Sequence, residues 1–147
     1  MGWKSPLQQN DFRQGSFMVS NGNRVEKRKH DRFKAQKETY VALMNDSVKV
    51  GQIINISRDG LAFSYIANGP EITGWHNMSI FLSSSYFYLK DLRFKAISDF
   101  LIENNVQFST VFMKQCGGQF GELTPTQITQ LEYFIANHTV SRVPIQF

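Results

Sequence analysis

The sequence predicts a small, mainly β domain of the barrel or sandwich class, with one helix near its carboxyl end. Phenylalanine (13) and tyrosine (5) are abundant, and short runs of β-branched and aromatic residues alternate with Gly and Asn turns, which favours strands. Helical periodicity with a clear start signal follows only Thr124. A chain of 147 residues with 41% apolar side chains is long enough for one domain with its own core.

The first predicted strand begins at Thr39, where side chains alternate up to a turn at residues 45–47. A second strand follows over residues 48–57. Further strands are predicted over residues 61–65, 78–82, 86–89, 92–102 and 106–113, with one or two of these continuous through a bend. The count is therefore six or seven strands.

The period of two in the second strand divides its side chains between two faces. Four apolar residues share the face that we expect to line the core: Val48, Val50, Ile54 and Ile56. Asn55 and Ser57 share the opposite face, so we expect both to point away from the core.

The helix signal begins with a capping box, in which Thr124 is the N-cap, Pro125 takes the first helical position and Gln127 the third. Leu123 and Ile128 are spaced for a hydrophobic staple. The apolar face that follows comprises Ile128, Leu131, Phe134 and Ile135. This face is expected to pack on the sheet or on a partner.

Residues 1–23 are polar, with scattered aromatics and no apolar period, so we expect a mobile tail. A basic tract follows it. Seven of the sixteen Lys and Arg residues fall between positions 24 and 37, against two acidic ones: Arg24, Lys27, Arg28, Lys29, Arg32, Lys34 and Lys37. Such a concentration of positive charge is expected to attract anions.

Several classes of protein are disfavoured. There is no apolar stretch of membrane-spanning length and no apolar segment of a secretory signal, so a cytoplasmic protein without membrane insertion is expected. A single cysteine, Cys116, cannot form an internal disulfide or the common cysteine zinc cages. No catalytic motif and no paired acid and base are visible. We therefore expect neither an enzyme nor a cofactor or metal site.

Two short motifs carry the chemistry. Arg28 and Arg32 stand four apart, and about one hairpin later comes Asn55-Ile56-Ser57-Arg58-Asp59-Gly60. The planar guanidinium group pairs bidentately with phosphate oxygens or with the O6 and N7 edge of guanine, and its face stacks on purines. Short polar side chains ahead of a glycine turn would orient a base or a phosphate. Together the motifs indicate a site for a small phosphorylated guanine ligand.

The two motifs, RxxxR and (D/N)xSxxG, resemble the signature of the PilZ domain, the bacterial receptor for cyclic di-GMP. The resemblance covers residues 24–140, with 141–147 as an extension, and implies a six-stranded antiparallel β-barrel with a C-terminal α-helix. It implies ligand contacts by six residues, with His30 and Arg58 as additional candidates: Lys27, Arg28, Arg32, Asn55, Ser57 and Gly60. A basic residue at Lys27 goes with an intercalated ligand dimer in this family.

The resemblance implies a receptor that changes conformation on binding cyclic di-GMP and acts on an unidentified downstream protein, for example in motility, secretion or biofilm formation. The alternative is an interaction adaptor of the same fold with a vestigial ligand site, which docks a partner through the helix face from Ile128 to Ile135. A third interpretation is a barrel that binds single-stranded nucleic acid. Clustering of the charge in one loop, and not along a groove, argues against a nucleic-acid polymer.

Overall fold

The computed structural model of the protein describes residues 30–44, 47–102 and 111–144, and these belong to one compact unit, Lys29–Pro144. The tail expected over residues 1–23, together with Lys27 and Arg28, lies outside the described residues. Eight strands and one helix occur in the described part: β1 (Arg32–Ala35), β2 (Thr39–Met44), β3 (Val48–Ile56), β4 (Gly60–Ile66), β5 (Gly74–Leu82), β6 (Tyr88–Leu101), β7 (Met113–Phe120), α1 (Pro125–Asn137) and β8 (Thr139–Val143).

Six of these strands close into an antiparallel barrel. Their order is β2-β5-β6-β7-β4-β3, and β3 pairs with β2 to complete the ring. The other two strands extend the sheet outward, since β1 pairs with β3 on one side and with β8 on the other. The six-stranded barrel with a C-terminal helix is thus confirmed, and closure of the ring excludes the sandwich.

The inward-facing side chains form one apolar core, which α1 completes with Leu131 and Phe134, both fully buried. Phe63 and Phe94 pack at the centre with ring centroids 6.2 Å apart. The thiol of Cys116 lies in the same core, and desolvation by burial raises its pKa to about 12. This cysteine is therefore held as an unreactive thiol.

Three pairings within the barrel contain β-bulges, and two of these bulges lie in neighbouring positions on the wall. The pairing of β3 with β4 shifts between Ile53 and Asn55, and the pairing of β6 with β7 shifts between Ala96 and Ser98. Each extra residue reverses the order of inward and outward positions for the remainder of its strand.

The bulge in β3 explains why the prediction for its core face was wrong. Val48 and Val50 are 63% and 54% exposed, whereas Ile53 and Ile56 are buried. A strict period of two connects Val48 with Ile56, but the extra residue breaks that phase. The expected outward direction of Asn55 holds, whereas Ser57 is only 4% exposed and the prediction of an open position is wrong for it.

The predicted continuity of strands through a bend is confirmed at β6. This strand joins the two runs expected over residues 86–89 and 92–102 and passes through Asp91 with a positive φ of 63°. Most of the strand expected over residues 106–113 lies outside the described residues. Of its described part, only Met113 belongs to a strand, β7, which continues through two glycines to Phe120. Neither β1 nor β8 was predicted, and β8 continues the sheet past residue 140.

The helix begins as predicted. The Thr124 side chain accepts a hydrogen bond from Gln127 N (3.1 Å), and Gln127 Oε1 accepts one from Thr124 N (3.0 Å). The Gln127 amide also donates to the carbonyls of Lys90 and Asp91. One side chain therefore caps the helix and fastens it to the bend in β6.

A polar network around Asp99 links strands β4, β6 and β7. Asp99 accepts hydrogen bonds from Tyr65 Oη (2.6 Å) and Ile72 N (2.8 Å), and its carboxylate lies 2.9 Å from Lys114 Nζ. Burial by itself raises the pKa of the Asp99 carboxyl, but these three partners outweigh it, so the pKa is lowered. Burial also raises the pKa of Tyr65. The bulge in β6 makes this network, since it turns Asp99 inward.

Among the described residues, there is no helix with the length and apolar character needed to cross a membrane.

The lowered pKa of Asp99 predicts that the free energy of unfolding decreases at acid pH. An unfolded aspartate titrates near 3.9, so the stabilisation from Asp99 is complete above about pH 5 and is lost as the pH falls below about 4. Asp99→Asn should lower the free energy of unfolding at neutral pH by roughly 1.5–3 kcal/mol, the range for hydrogen bonds to charged groups. The variant should also show a weaker decrease of the free energy of unfolding at acid pH, as measured by urea denaturation. Asp31→Asn, at a half-exposed carboxylate, is the control and should change neither quantity.

Candidate functional site

The two motif segments meet at one end of the barrel. Strand β1 lies against β3, with Phe33 opposite Ile56 and Lys34 opposite Asn55. Just before β1, His30 Nδ1 lies 2.7 Å from Asp59 Oδ2, in the turn between β3 and β4. The RxxxR segment and the NxSxxG segment are therefore in direct contact within the described residues.

Asn55 projects from the outer wall of the barrel and carries an unsatisfied polar atom. Its Oδ1 is fully buried and has no hydrogen-bond partner in the part of the chain that the structure describes. A buried acceptor without a donor costs free energy, so such atoms call for an explanation. A ligand that donates a hydrogen bond at this point would supply one.

Asn55 belongs to a row of paired residues that crosses the outer wall from β1 to β6. The pairings run from Lys34 to Asn55, to Ala62, to Gly117 and to Ser98. We call these five residues the outer row. It contains a cation at one end, an amide, and then three residues with small or no side chains. The side chains beside the unsatisfied amide oxygen are therefore short, and Ala62 at the middle of the row is buried.

Arg32 begins β1 and is half-buried. Alternation along the strand places it on the same face as Lys34, and thus on the side of Asn55. Lys27 and Arg28, the other two basic residues of the predicted site, lie outside the described residues.

Ser57 has a structural role in the turn between β3 and β4. Its Oγ accepts a hydrogen bond from Asp59 N (3.1 Å), and its own N–H donates to Gly60 O (2.8 Å). The hydroxyl therefore stabilises the turn between β3 and β4, in the manner typical of serine in turns. The serine of the motif shapes the turn that carries Arg58 and Asp59.

Gly60 is required by packing against β7. A Cβ atom at this position would lie 2.0 Å from Gly118 O and 2.9 Å from Gln119 Cα, closer than real atoms approach. Its φ is not positive, so close approach and not backbone conformation excludes a side chain. The motif glycine therefore serves the barrel wall next to the outer row.

Arg58 points to the other side of β1, into a groove of about 280 Å³ beside the helix. The groove is lined by His30, Asp31, Phe33, Arg58, Glu132, Ile135 and Ala136. Arg58 Nη1 lies 3.6 Å from Glu132 Oε2, and both side chains are about half-exposed. With two carboxylates against one guanidinium group, this groove is less suited to a phosphate than the outer row is.

The sequence analysis did not name several residues that the structure brings next to the motif segments. Asp59 contacts His30, and Ala62, Gly117 and Ser98 complete the outer row. The Gly117-Gly118 pair was a usable signal, because glycines inside a strand often mark a close approach of another group. Within the described residues, no group of three or more His, Cys, Asp or Glu side chains could hold a metal ion.

Comparison with known proteins gives a structural likeness only. No family model matches the sequence, and no curated protein matches it either. Among solved structures, the PilZ domain with c-di-GMP of YcgR from Escherichia coli matches with a TM-score of 0.61 and 15% identity, over 77% of this chain and 92% of that one. The fold is that of a PilZ domain.

Two further structures agree. The K. pneumonia MrkH–c-di-GMP complex matches with a TM-score of 0.58 and 15% identity, over 77% of this chain and 52% of that one. The Bacillus subtilis inhibitor of motility MotI matches at 0.50 and 13% identity, over 78% and 51%. This chain thus spans nearly all of the YcgR domain but about half of MrkH and MotI. At these identities the likeness concerns the fold.

The packing of Gly60 leads to a stability prediction. Gly60→Ala should lower the free energy of unfolding by about 1–3 kcal/mol or more, since the added methyl group forces the backbones of β4 and β7 apart. Urea denaturation measures the loss, with Ser64→Ala on the same strand as the control. Unchanged stability in the Gly60→Ala variant would contradict this account of the motif glycine.

Proposed function

We propose that this PilZ-fold chain is a receptor for cyclic di-GMP, which binds on the outer wall of the barrel between the RxxxR segment and the outer row. Arg28 and Arg32 supply the guanidinium groups, and Asn55 supplies a neutral acceptor. The ligand is bound and not turned over. A cytoplasmic location remains a prediction.

The observation that carries the proposal is the unsatisfied Oδ1 of Asn55 beside the strand that Arg32 begins. The pairing of Lys34 with Asn55 fixes this neighbourhood through backbone hydrogen bonds of the sheet. A purine offers N–H donors that match the vacant acceptor, and its phosphates match the cations on the same face. The fold shared with structures solved with c-di-GMP supports the same ligand.

Charge favours the outer wall over the groove beside the helix. Arg32 and Lys34 face the wall, whereas the groove contains the carboxylates of Asp31 and Glu132. A ligand with two phosphodiester charges is repelled by those carboxylates and attracted by the cations. We therefore assign Arg58 to the groove and not to the ligand. Ser57 and Gly60 shape the site, through the turn and through the contact with β7.

Binding would become a signal through the segment that precedes β1. His30 contacts Asp59, and Asp31 Oδ2 lies 3.5 Å from Arg142 Nη1 in β8. These solvent-accessible contacts are weak, of the order of 1 kcal/mol or less, so the ligand can rearrange them. Drawing the arginines onto the outer row would shift His30 and Asp31 and alter the surface near β8, where a downstream protein could respond.

The alternative adaptor is not favoured in the form expected from the sequence. Its docking face was the helix surface from Ile128 to Ile135, but Leu131 and Phe134 on that surface are fully buried in the barrel. An adaptor would have to use another surface.

Isothermal titration with cyclic di-GMP tests the proposed receptor. Wild-type protein should bind, and Arg28→Ala and Arg32→Ala should each weaken binding by roughly 1.5–3 kcal/mol, the range for charge-assisted hydrogen bonds. Thermal unfolding should remain normal in both variants, because the core of the described barrel is built from apolar side chains of other residues.

Arg93→Ala is the matched control. It removes the same charge from β6, where Arg93 stacks on Trp75 with 5.2 Å between the guanidinium carbon and the ring centroid. Its affinity should equal that of the wild type. No heat of binding in the wild type would reject the receptor, and full affinity in both arginine variants would reject the assigned residues.

A further inference from the structure

Trp75 is a half-exposed aromatic side chain on the outer wall of the barrel, near the start of β5. It pairs across the strands with Lys95, and Lys95 pairs in turn with Gln119 of β7. A Cβ atom at Gly121 would lie 3.1 Å from Trp75 Cζ3 and 3.0 Å from Arg93 Cβ. The absence of a side chain at Gly121 therefore leaves room for the indole to lie against the wall.

Two cations accompany this ring. The guanidinium carbon of Arg93 lies 5.2 Å from the ring centroid, and Lys95 Nζ lies 6.0 Å from it. At both distances a cation is attracted to the face of an aromatic ring. Arg93 and Lys95 are two residues apart on β6, so their side chains leave the same face of the strand about 7 Å from each other. The ring therefore restricts two long side chains that would otherwise move freely.

The charge of these two cations is not neutralised in the part of the chain that the structure describes. Within it, neither Arg93 nor Lys95 makes an ion pair with an aspartate or a glutamate. Both side chains are exposed, as are the neighbouring Asn77 and Gln119. This surface thus offers two unpaired positive charges beside an apolar ring.

We propose that Trp75, Arg93 and Lys95 form a docking surface for an acidic segment of another protein, in which carboxylates flank an apolar side chain. This inference goes beyond the proposed receptor and does not depend on it. The carboxylates pair with the two cations, and the apolar side chain packs on the exposed part of the indole. Because the ring already restricts both cations, less side-chain entropy is lost when the segment binds.

The composition of the surface favours an acidic protein segment over other polyanions. A single-stranded nucleic acid is bound by successive aromatic rings along a basic groove, whereas Trp75, Arg93 and Lys95 supply one ring and two cations. Electrostatic binding to an anionic bilayer uses a cluster of about four or more cations. Tryptophan and arginine, in contrast, are the residues that most often dominate the binding energy of protein interfaces. Ile97, two residues beyond Lys95 and 59% exposed, adds apolar surface for the same partner.

Binding of a short acidic peptide tests the docking surface. The probe is a fluorescein-labelled peptide with the sequence Gly-Glu-Glu-Leu-Glu-Glu-Gly, and its matched control has glutamine in place of each glutamate. Fluorescence anisotropy with the full chain should show binding of the acidic peptide, which weakens as the salt concentration rises. The glutamine peptide should bind at least about 10-fold more weakly, because it cannot make the charge-assisted hydrogen bonds.

Variants of the protein locate the binding. Trp75→Ala and Arg93→Glu should each weaken binding of the acidic peptide about 10-fold or more, because the first removes the apolar anchor and the second reverses a charge. Lys37→Glu, in the exposed turn between β1 and β2, makes the same change of net charge and should keep wild-type affinity. Thermal melts report whether each variant is folded. Lys95→Glu, at an exposed position, repeats the test if Trp75→Ala lowers stability.

The possible results separate this surface from other partners. No binding of the acidic peptide, equal affinity for the glutamine peptide, or an affinity that Arg93→Glu leaves unchanged would overturn the proposal. Binding of oligothymidylate or of phosphatidylglycerol vesicles without binding of the acidic peptide would assign the surface to a nucleic acid or a membrane, and would overturn it as well. Cyclic di-GMP should bind Trp75→Ala with wild-type affinity, so the docking surface and the receptor fail in different measurements.

Discussion

Two of the β-bulges in the barrel, at Ile54 in β3 and at Ile97 in β6, are the constraint on which several other features of this molecule depend. A small closed barrel needs strongly bent strands, and a bulge supplies local bending and twist at the cost of one unpaired residue. Both bulges adjoin the same crosswise row of pairings. Each one also changes which side chains face inward. Without them, Asn55 would not lie on the outer wall in register with Ala62, and Asp99 would not reach Tyr65 and Lys114.

The bulges also mark the limit of what the sequence could predict. Local signals were read correctly where one short segment determines the result: the capping box at Thr124, the strand from Thr39 and the strand after Gly60. The core face of β3 was wrong because the phase of a bulged strand depends on its partner strand. The part of β7 after Met113 was not predicted, because its glycines carry no local strand signal. Strands β1 and β8 depend on pairings with distant parts of the chain, of β1 with β3 and of β8 with β1.

The contact between the two motif segments agrees with the sequence prediction, since β1 pairs with β3 and His30 contacts Asp59. The role of each motif residue was not predictable. The sequence could not show that Ser57 and Gly60 serve the turn and the wall, while Asn55 keeps an unsatisfied oxygen. Gly117 and Ser98 reach the outer row from strands far along the chain, through pairings that no local pattern records. A binding motif of this type therefore describes a piece of scaffold together with the contacts it supports.

The burial of Cys116 has a practical consequence. It is the only cysteine of the chain, and its side chain is sealed in the core with a raised pKa, so thiol reagents reach it only when the barrel opens. A cysteine placed on the surface could thus carry a dye or spin label as the only modified position. The native thiol, in turn, would report how often the barrel opens, through the rate at which it is alkylated.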